Sequence, residues 1–320
     1  MEQAAVDWAK AIRTGATLVP PGPALDERQI AAVVDDLRRA AERSVELVAE
    51  VSQLRAPATS ITLVVDRPGW LAAAASSANA MLSRAGVLDQ PATLWQKLQA
   101  RTLGSQAGAV LAVVATRILG QFDPFAEPSR LLLVAPNVVG LERKLGVLPR
   151  DFRLWVCLHE QTHGFQFGAA PWLREHLTGL IAEVVADDEP DVRPTPAPGL
   201  AGLLGGPSQR AAFDRATAVM SLMEGHADVM MDRVPPGAVP TLASIRAVFE
   251  QHRDQRGVSG LVSKLFGLNL KREQYRDGAS FCQAVIAEAG VPTLNRAFES
   301  VDALPSLAEI HDPQLWLRRI

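Results

Sequence analysis

A histidine motif in the middle of the chain has the spacing of a catalytic zinc site. Within the segment LWVCLHEQTHGFQF, His159, Glu160 and His163 spell HExxH. Histidines four residues apart share one face of a helix, so both imidazoles can bind one Zn²⁺, and the glutamate lies beside the open coordination position. The alternative is a pair of structural histidines on a buried helix, since apolar residues surround the motif. The spacing favours a zinc site with Glu160 as the catalytic carboxylate.

A third ligand is predicted downstream, in the segment SLMEGHADVMMD. Glu224 and Asp228 stand four residues apart on a predicted helix, in the E-x-x-x-D pattern of the thermolysin-like gluzincins. In that pattern the glutamate binds zinc, and the aspartate accepts a hydrogen bond from the first motif histidine and fixes its tautomer. E-x-x-x-D is also common on solvated helices, so its weight comes from the histidine motif. We predict His159, His163 and Glu224 as ligands of one zinc ion, with Asp228 supporting His159.

Other third ligands are less well supported by the sequence. A metzincin site would need glycine at position 166 and histidine at position 169, where this chain has Gln166 and Ala169. His176, Asp187 and Asp188 follow the motif, but none has a supporting partner at helical spacing. These three rank below Glu224.

The oxyanion of a hydrolytic transition state needs a hydrogen-bond donor near the metal. Two side chains are candidates: His226, two residues past the predicted ligand, and Tyr275, the only tyrosine in the sequence. Position i+2 of a helix points away from position i, which argues against His226. Tyr275, in the segment LKREQYRDG, would equally suit a surface or packing position. The sequence leaves both assignments open.

Length, charge and cysteine content restrict the class of protein. The chain has 320 residues, of which 48% are hydrophobic and 21% charged, so it can bury a large core. A net charge of −3 provides no attraction for nucleic acid. The sequence predicts no membrane span and no export signal, and the two cysteines match no disulfide framework. We expect a cytoplasmic protein with a peptide or small-molecule substrate, and its oligomeric state stays open.

The elements that must position the motifs are mostly helices. Apolar residues recur at helical spacing over 25–54, and further helices are predicted at 69–86, 91–101, 105–121, 148–168, 171–187, 208–232, 240–254 and 271–289. The only predicted strands are two short apolar segments, 61–66 and 130–137. Proline and glycine accumulate at 187–207, between the two metal-binding motifs. We therefore predict a single catalytic unit over 1–320 with an excursion at 187–207.

Five segments spread over most of the chain match a known family. They are GQFDPF at 120–125, LLLVAPN at 131–137, the HExxH segment with PWLREHL up to 177, MEGHADVMMD at 223–232 and KREQYRDGASFCQAV at 271–285. In these segments the chain resembles the zincin-like metallopeptidases type 2, a bacterial group of inferred hydrolases with a branch labelled as associated with deazaflavin-coenzyme biosynthesis. The resemblance implies a mainly α, α+β fold of the zincin-like kind. Its HExxH helix would pack against a small sheet, among many surrounding helices.

Two functions are compatible with these features. The first is a zinc-dependent hydrolase of peptide or amide bonds with a gluzincin-type mechanism, in which a zinc-activated water attacks and Glu160 is the general base. The alternative is a non-catalytic, zinc-stabilised helical protein that acts as a binding or regulatory partner. A structural zinc site closes its fourth position with a protein ligand, for which His226 or Cys157 would be available, whereas a catalytic site leaves it to water.

Overall fold

Helices form most of the protein, and the strands form one small sheet. A computed structural model describes residues 6–55, 60–87, 93–185, 206–248 and 272–320, with side chains in the last range described from 277 onward. The helices are α1 (Trp8–Leu18), α2 (Glu27–Ser52), α3 (Arg67–Arg84), α4 (Leu94–Ala115), α5 (Ala135–Leu145), α6 (Pro149–Ala169), α7 (Leu173–Val185), α8 (Pro207–Asp232), α9 (242–248), α10 (Arg272–Asn295), α11 (Leu307–His311) and α12 (Pro313–Arg319). The strands are β1 (Ser60–Val65), β2 (Gly120–Asp123) and β3 (Ser129–Val134). The predicted mainly α fold with a small sheet is confirmed.

Parts of the sequence prediction fall outside these ranges. Of the excursion predicted at 187–207, only the last two positions lie within the described ranges. The helix predicted at 240–254 is described only as far as residue 248. Across the described ranges, no helix is both long enough and apolar enough to cross a bilayer.

The three strands are arranged in the order β1-β3-β2. β1 runs parallel to β3, with Leu63 opposite Leu132, and β2 runs antiparallel to β3, with Gly120 opposite Leu133. The two predicted strands correspond to β1 and β3, but the second was predicted to run to residue 137, whereas α5 begins at Ala135. The sequence prediction is wrong at β2, where it extends a helix over 105–121, because the four residues GQFD are too few to show a strand period.

Strand β3 is central because helices cover both faces of the sheet. Leu131 and Leu133 belong to a core shared with α2, α5 and α6, whereas Leu132 and Val134 belong to a second core shared with α3 and α4. None of these four side chains is more than 1% exposed. A strand that is buried on both faces has a continuous apolar sequence instead of an alternating one, which explains the run LLLV.

Helix α6, which carries HExxH, is fixed in place by a buried ion pair as well as by apolar packing. Arg153 of α6 is 8% exposed and makes two hydrogen bonds to Glu142 of α5, at 3.0 and 2.6 Å. Its third nitrogen donates to Asp36 of α2 at 2.8 Å. Because an unpaired buried charge is costly, this geometry holds α6 in one position relative to α2 and α5.

Helix α8, which carries Glu224, is held by a third core and by a close helix crossing. The core contains Leu222 and Met230 of α8 together with Phe281 of α10 and Trp316 of α12. At the crossing with α10, a Cβ atom on Gly278 would lie 2.0 Å from the carbonyl oxygen of Ser221 on α8. A Cβ atom on Gly225 would lie 2.1 Å from the carbonyl carbon of Gly278. Only glycine permits this approach of the two backbones.

We expect Gly278→Ala to lower the free energy of unfolding by about 1–3 kcal/mol, because the added methyl group meets backbone atoms that cannot rotate away. Urea denaturation followed by circular dichroism measures the change. The matched control is Gly179→Ala, on the exposed face of α7, where an added Cβ has no heavy atom within 4 Å. That substitution should stabilise the protein by about 0.5–1 kcal/mol. Equal stability of the two variants would contradict the close crossing.

Candidate metal centre

His159 and His163 present two ring nitrogens to one point beside α6. They lie one helical turn apart in the second half of this helix. Their Nε2 atoms are 3.3 Å apart and their ring planes are nearly perpendicular, at 89°. Two unprotonated nitrogens this close present their lone pairs to each other, unless a proton or a cation is shared between them. The pair therefore has the geometry expected of two ligands to one ion.

Glu224 reaches the same point from α8. Its Oε2 atom lies 3.5 Å from Nε2 of His159, and its Oε1 atom lies 3.7 Å from Nε2 of His163. One ligand atom from each of the three residues lies within 4.8 Å of the others, and the described ranges contain no other such group of three or more His, Cys, Asp or Glu side chains. The structure thus brings together the three side chains that the sequence predicts as ligands.

The electrostatics of this group favour a bound cation. Burial alone would lower the pKa of His159, but the hydrogen bond and the charge of Glu224, with the other carboxylates nearby, raise it to about 9. Burial would raise the pKa of Glu224, and the two histidines hold it below its ordinary value instead. The group therefore attracts positive charge. A divalent ion would supply that charge, and two imidazoles with one carboxylate form a ligand set that suits zinc.

Glu160 lies beside the ligand group and is held by strand β2. The backbone N–H of Phe122 lies close enough to the Glu160 carboxylate to act against the rise in its pKa. An added Cβ at Gly120 would lie 2.6 Å from Cγ and 3.2 Å from Cδ of Glu160, so the strand and the side chain are in direct contact. Burial raises the pKa of Glu160; the two histidines partly offset this effect, and Glu224 adds to it. A carboxylate with a raised pKa is a better proton acceptor than a fully solvated one.

Gln166 holds the ring of His163 from the side away from the ligand group. Its Oε1 atom lies 2.9 Å from Nδ1 of His163, and its Nε2 atom donates to the carbonyl oxygen of Met223 at 2.8 Å. It therefore links α6 to the residue of α8 that precedes the predicted ligand. In the sequence, Gln166 is notable only as the position where a metzincin has glycine. Its spacing of three residues from His163 is the feature that could have identified it, because such side chains are neighbours on a helix.

The contact of His159 differs from the sequence prediction. Its Nδ1 atom lies 3.3 Å from the sulfur of Met231, in the place where the E-x-x-x-D pattern predicts an oxygen of Asp228. Asp228 is 40% exposed and forms an ion pair with Arg246 of α9 at 3.5 Å. Arg246 also binds Asp232 and the carbonyl oxygen of Asp228. These contacts draw the Asp228 carboxylate toward α9, so it contributes its charge to His159 but not the predicted hydrogen bond.

His226, a predicted oxyanion donor, is separated from the ligand group by Gln166, which contacts both His163 and His226. It is fully buried, with Nδ1 3.1 Å from Nε2 of Gln166 and its ring against Phe298, at a centroid distance of 5.2 Å. Burial, with the nearby charge of His163, lowers the pKa of His226 to about 3, so the ring is neutral. This position agrees with the expectation that residue i+2 points away from Glu224.

The other sequence candidates contribute nothing to the described ligand group. His176 packs edge to face against Trp172, with ring centroids 6.0 Å apart, and is not a member of the group. Asp187 and Asp188 lie outside the described residues, as does the side chain of Tyr275. The catalytic role of Tyr275 stays a prediction from the sequence.

Comparison with known proteins defines the class. The sequence model of the zincin-like metallopeptidase family matches residues 6–317, nearly the whole chain, and the protein belongs to this family. A crystal structure from Chloroflexus aurantiacus, described as "a putative hydrolase with a novel fold", has 30% sequence identity and a TM-score of 0.74, with 98% of each chain covered. No functionally curated protein matches the chain. The family implies a metal, usually zinc, and the group formed by His159, His163 and Glu224 offers ligands for it.

We expect Glu224→Ala to lower zinc affinity far more than Asp228→Ala does, with about one zinc bound per chain of the parent protein. The first substitution removes a metal ligand. The second removes a charge that is turned toward Arg246, and the expected loss is below the roughly 10 to 100-fold typical of a lost orienting hydrogen bond. Chelator competition on metal-free protein, with elemental analysis after gel filtration, measures both.

Asp187→Ala and Asp188→Ala are the controls for alternative ligands. Both should bind zinc as the parent does. If either loses zinc while Glu224→Ala retains it, the assignment of Glu224 is wrong.

Proposed function

We propose that the protein is a zinc-dependent hydrolase of peptide or amide bonds in which Glu160 is the general base. The observation that carries this proposal is the arrangement of two separate parts. Three ligand atoms converge from α6 and α8, and an additional carboxylate, that of Glu160, is held next to them by a strand. Membership of a metallopeptidase family supports the same class of reaction.

In this proposal the protein moves one proton twice. A bound zinc ion would polarise the scissile carbonyl and lower the pKa of a water molecule at the site. Glu160 accepts a proton from the attacking water as the water oxygen bonds to the carbonyl carbon. It then donates that proton to the leaving nitrogen as the C–N bond breaks, which gives a carboxylic acid and an amine. The raised pKa of Glu160 suits a group that must both accept and donate.

Strand β2 supports this role by restricting where the Glu160 carboxylate can lie. The N–H of Phe122 attracts the carboxylate, and the contact with Gly120 restricts the aliphatic part of the side chain. Both restraints come from the backbone, so they do not depend on the rotamer of a neighbouring side chain. A general base must lie within hydrogen-bond distance of the proton it removes, and this positioning serves that requirement.

The alternative of a structural zinc site calls for a fourth protein ligand. Cys157 lies on another side of α6, with its sulfur 3.9 Å from the carbonyl oxygen of Leu37, and burial raises the pKa of its thiol. His226 faces Gln166 with one nitrogen. Neither belongs to the described ligand group, which favours an open coordination position and a catalytic site.

Glu160→Gln should keep the zinc affinity of the parent and lower hydrolysis by at least about 100-fold, because an amide cannot accept the proton. The assay incubates zinc-loaded protein with a mixed peptide library in ¹⁸O-labelled water and detects new labelled carboxyl termini by mass spectrometry. Glu42→Gln, on the exposed face of α2, is the matched control and should cleave as the parent does. Unchanged cleavage by Glu160→Gln would exclude it as the base, and a parent that cleaves nothing would contradict the peptide substrate.

Gly120→Ala tests the same role from the strand. The added methyl group would lie 2.6 Å from Cγ of Glu160 and displace the carboxylate, so we expect roughly 100-fold slower cleavage while zinc remains bound. Gly140→Ala on α5 is the control, since its added Cβ has no heavy atom closer than 3.7 Å. Full activity of Gly120→Ala would show that β2 does not position the base.

A further inference from the structure

A continuous series of buried polar contacts leads away from the ligand group. Its side chains, from the metal ligand outward, are His163, Gln166, His226 and Asn295. Two backbone carbonyls anchor the series: that of Met223 accepts a hydrogen bond from Gln166, and that of Ser52 accepts one from Asn295. The series passes from α6 across α8 to the end of α10 and to α2. The proposed hydrolytic mechanism uses none of its members except His163.

The Met223 carbonyl fixes the direction of the first contacts. A carbonyl oxygen can only accept, so the Gln166 atom that faces it at 2.8 Å is the amide nitrogen. The amide oxygen of Gln166 must then face Nδ1 of His163, which consequently carries a hydrogen. A neutral imidazole that is protonated on Nδ1 has its lone pair on Nε2. This is the nitrogen that faces Glu224 and His159.

The Ser52 carbonyl fixes the direction at the other end. It accepts a hydrogen bond from Nδ2 of Asn295 at 2.8 Å, so the amide oxygen of Asn295 is the atom available to His226. Nε2 of His226 and Oδ1 of Asn295 are both buried and neither forms a hydrogen bond of normal distance and angle, although the Asn295 side chain lies beside that of His226. The contact with Gln166 decides the tautomer of His226: the Gln166 amide nitrogen can only donate, so Nδ1 of His226 accepts and the neutral ring carries its hydrogen on Nε2.

We infer that His226 is a positioning residue for the metal centre: by accepting a hydrogen bond from Gln166 it keeps the Gln166 oxygen on His163, and so keeps the His163 tautomer that can bind a metal. A flipped Gln166 amide would place a donor against a donor at His163 and an acceptor against the Met223 carbonyl. The inference rests on the metal centre of the proposed function but not on hydrolysis.

The burial of His226 supports this role over simple packing. The ring is 0% exposed and contacts Phe298, a site that an apolar side chain of similar size would fill at no desolvation cost.

The parent protein provides the first test. Long-range ¹⁵N–¹H correlation spectra of the zinc-loaded protein should show His226 as the neutral Nε2–H tautomer and His163 as the Nδ1–H tautomer. The other tautomer on either ring would overturn the inference. This measurement needs no variant, so it holds even if a substitution in the buried series prevents folding.

Two substitutions at position 226 separate positioning from packing. His226→Phe keeps the ring but removes the acceptor, and we expect zinc affinity to fall about tenfold or more. His226→Asn loses ring volume but keeps an oxygen near the place of Nδ1, and it should bind zinc nearly as the parent does. Chelator competition measures the affinities, and circular dichroism of the metal-free proteins checks folding. The reverse order, with Asn weaker than Phe, would identify a packing role and overturn the inference.

Thr217→Val is the matched control on the same helix. Thr217 is buried on α8 and its hydroxyl has no hydrogen-bond partner, so the isosteric substitution should leave zinc affinity unchanged.

Peptide cleavage is not a readout of the positioning role. If the affinity order holds and no peptide is cleaved, the positioning role stands and the hydrolase proposal fails. If Glu160→Gln abolishes cleavage while His226→Phe binds zinc like the parent, only the positioning role fails.

Discussion

Helices α6 and α8 must hold three polar ligand atoms within reach of one ion, although most of their surroundings are apolar. Apolar packing is not directional enough to set such distances, and the structure adds specific contacts. The buried Arg153–Glu142 pair fixes α6, and the glycine crossing at Gly225 and Gly278 fixes α8. Gln166 then joins the two helices directly at the site. The convergence of His159, His163 and Glu224 depends on all three contacts.

The ligands and the proposed base are held by different kinds of structure. The ligands belong to two long helices, whereas Glu160, although it is part of α6, is positioned by the backbone of β2. Because the strand backbone positions Glu160, the positions of the three ligands do not depend on the group that would transfer the proton. Substitutions at β2 and substitutions at α8 should therefore separate chemistry from metal binding.

Local patterns in the sequence were sufficient for most of the long helices, for β1 and most of β3, and for the three residues that meet as ligands, but they divided the single helix α4 into two. His159 and His163 share a helix face through i, i+4 geometry, which any helix provides. β2 was beyond this kind of reasoning, because four residues show no period and become a strand only by pairing with β3. The gap in the sequence between His163 and Glu224 likewise carries no information on distance, and only the packing of α8 against α6 closes it.

The sequence by itself determined which side chains could form a metal centre, since residue type and helical spacing are local properties. The tertiary structure decided what surrounds them. Asp228 has the predicted spacing, yet α9 brings Arg246 to it, and Met231 takes its place beside His159. Gln166 and His226 became partners because α6 and α8 cross where they do. Such contacts depend on which elements pack together. When two elements are far apart in the sequence, the local residue pattern of neither element indicates that they will pack against each other.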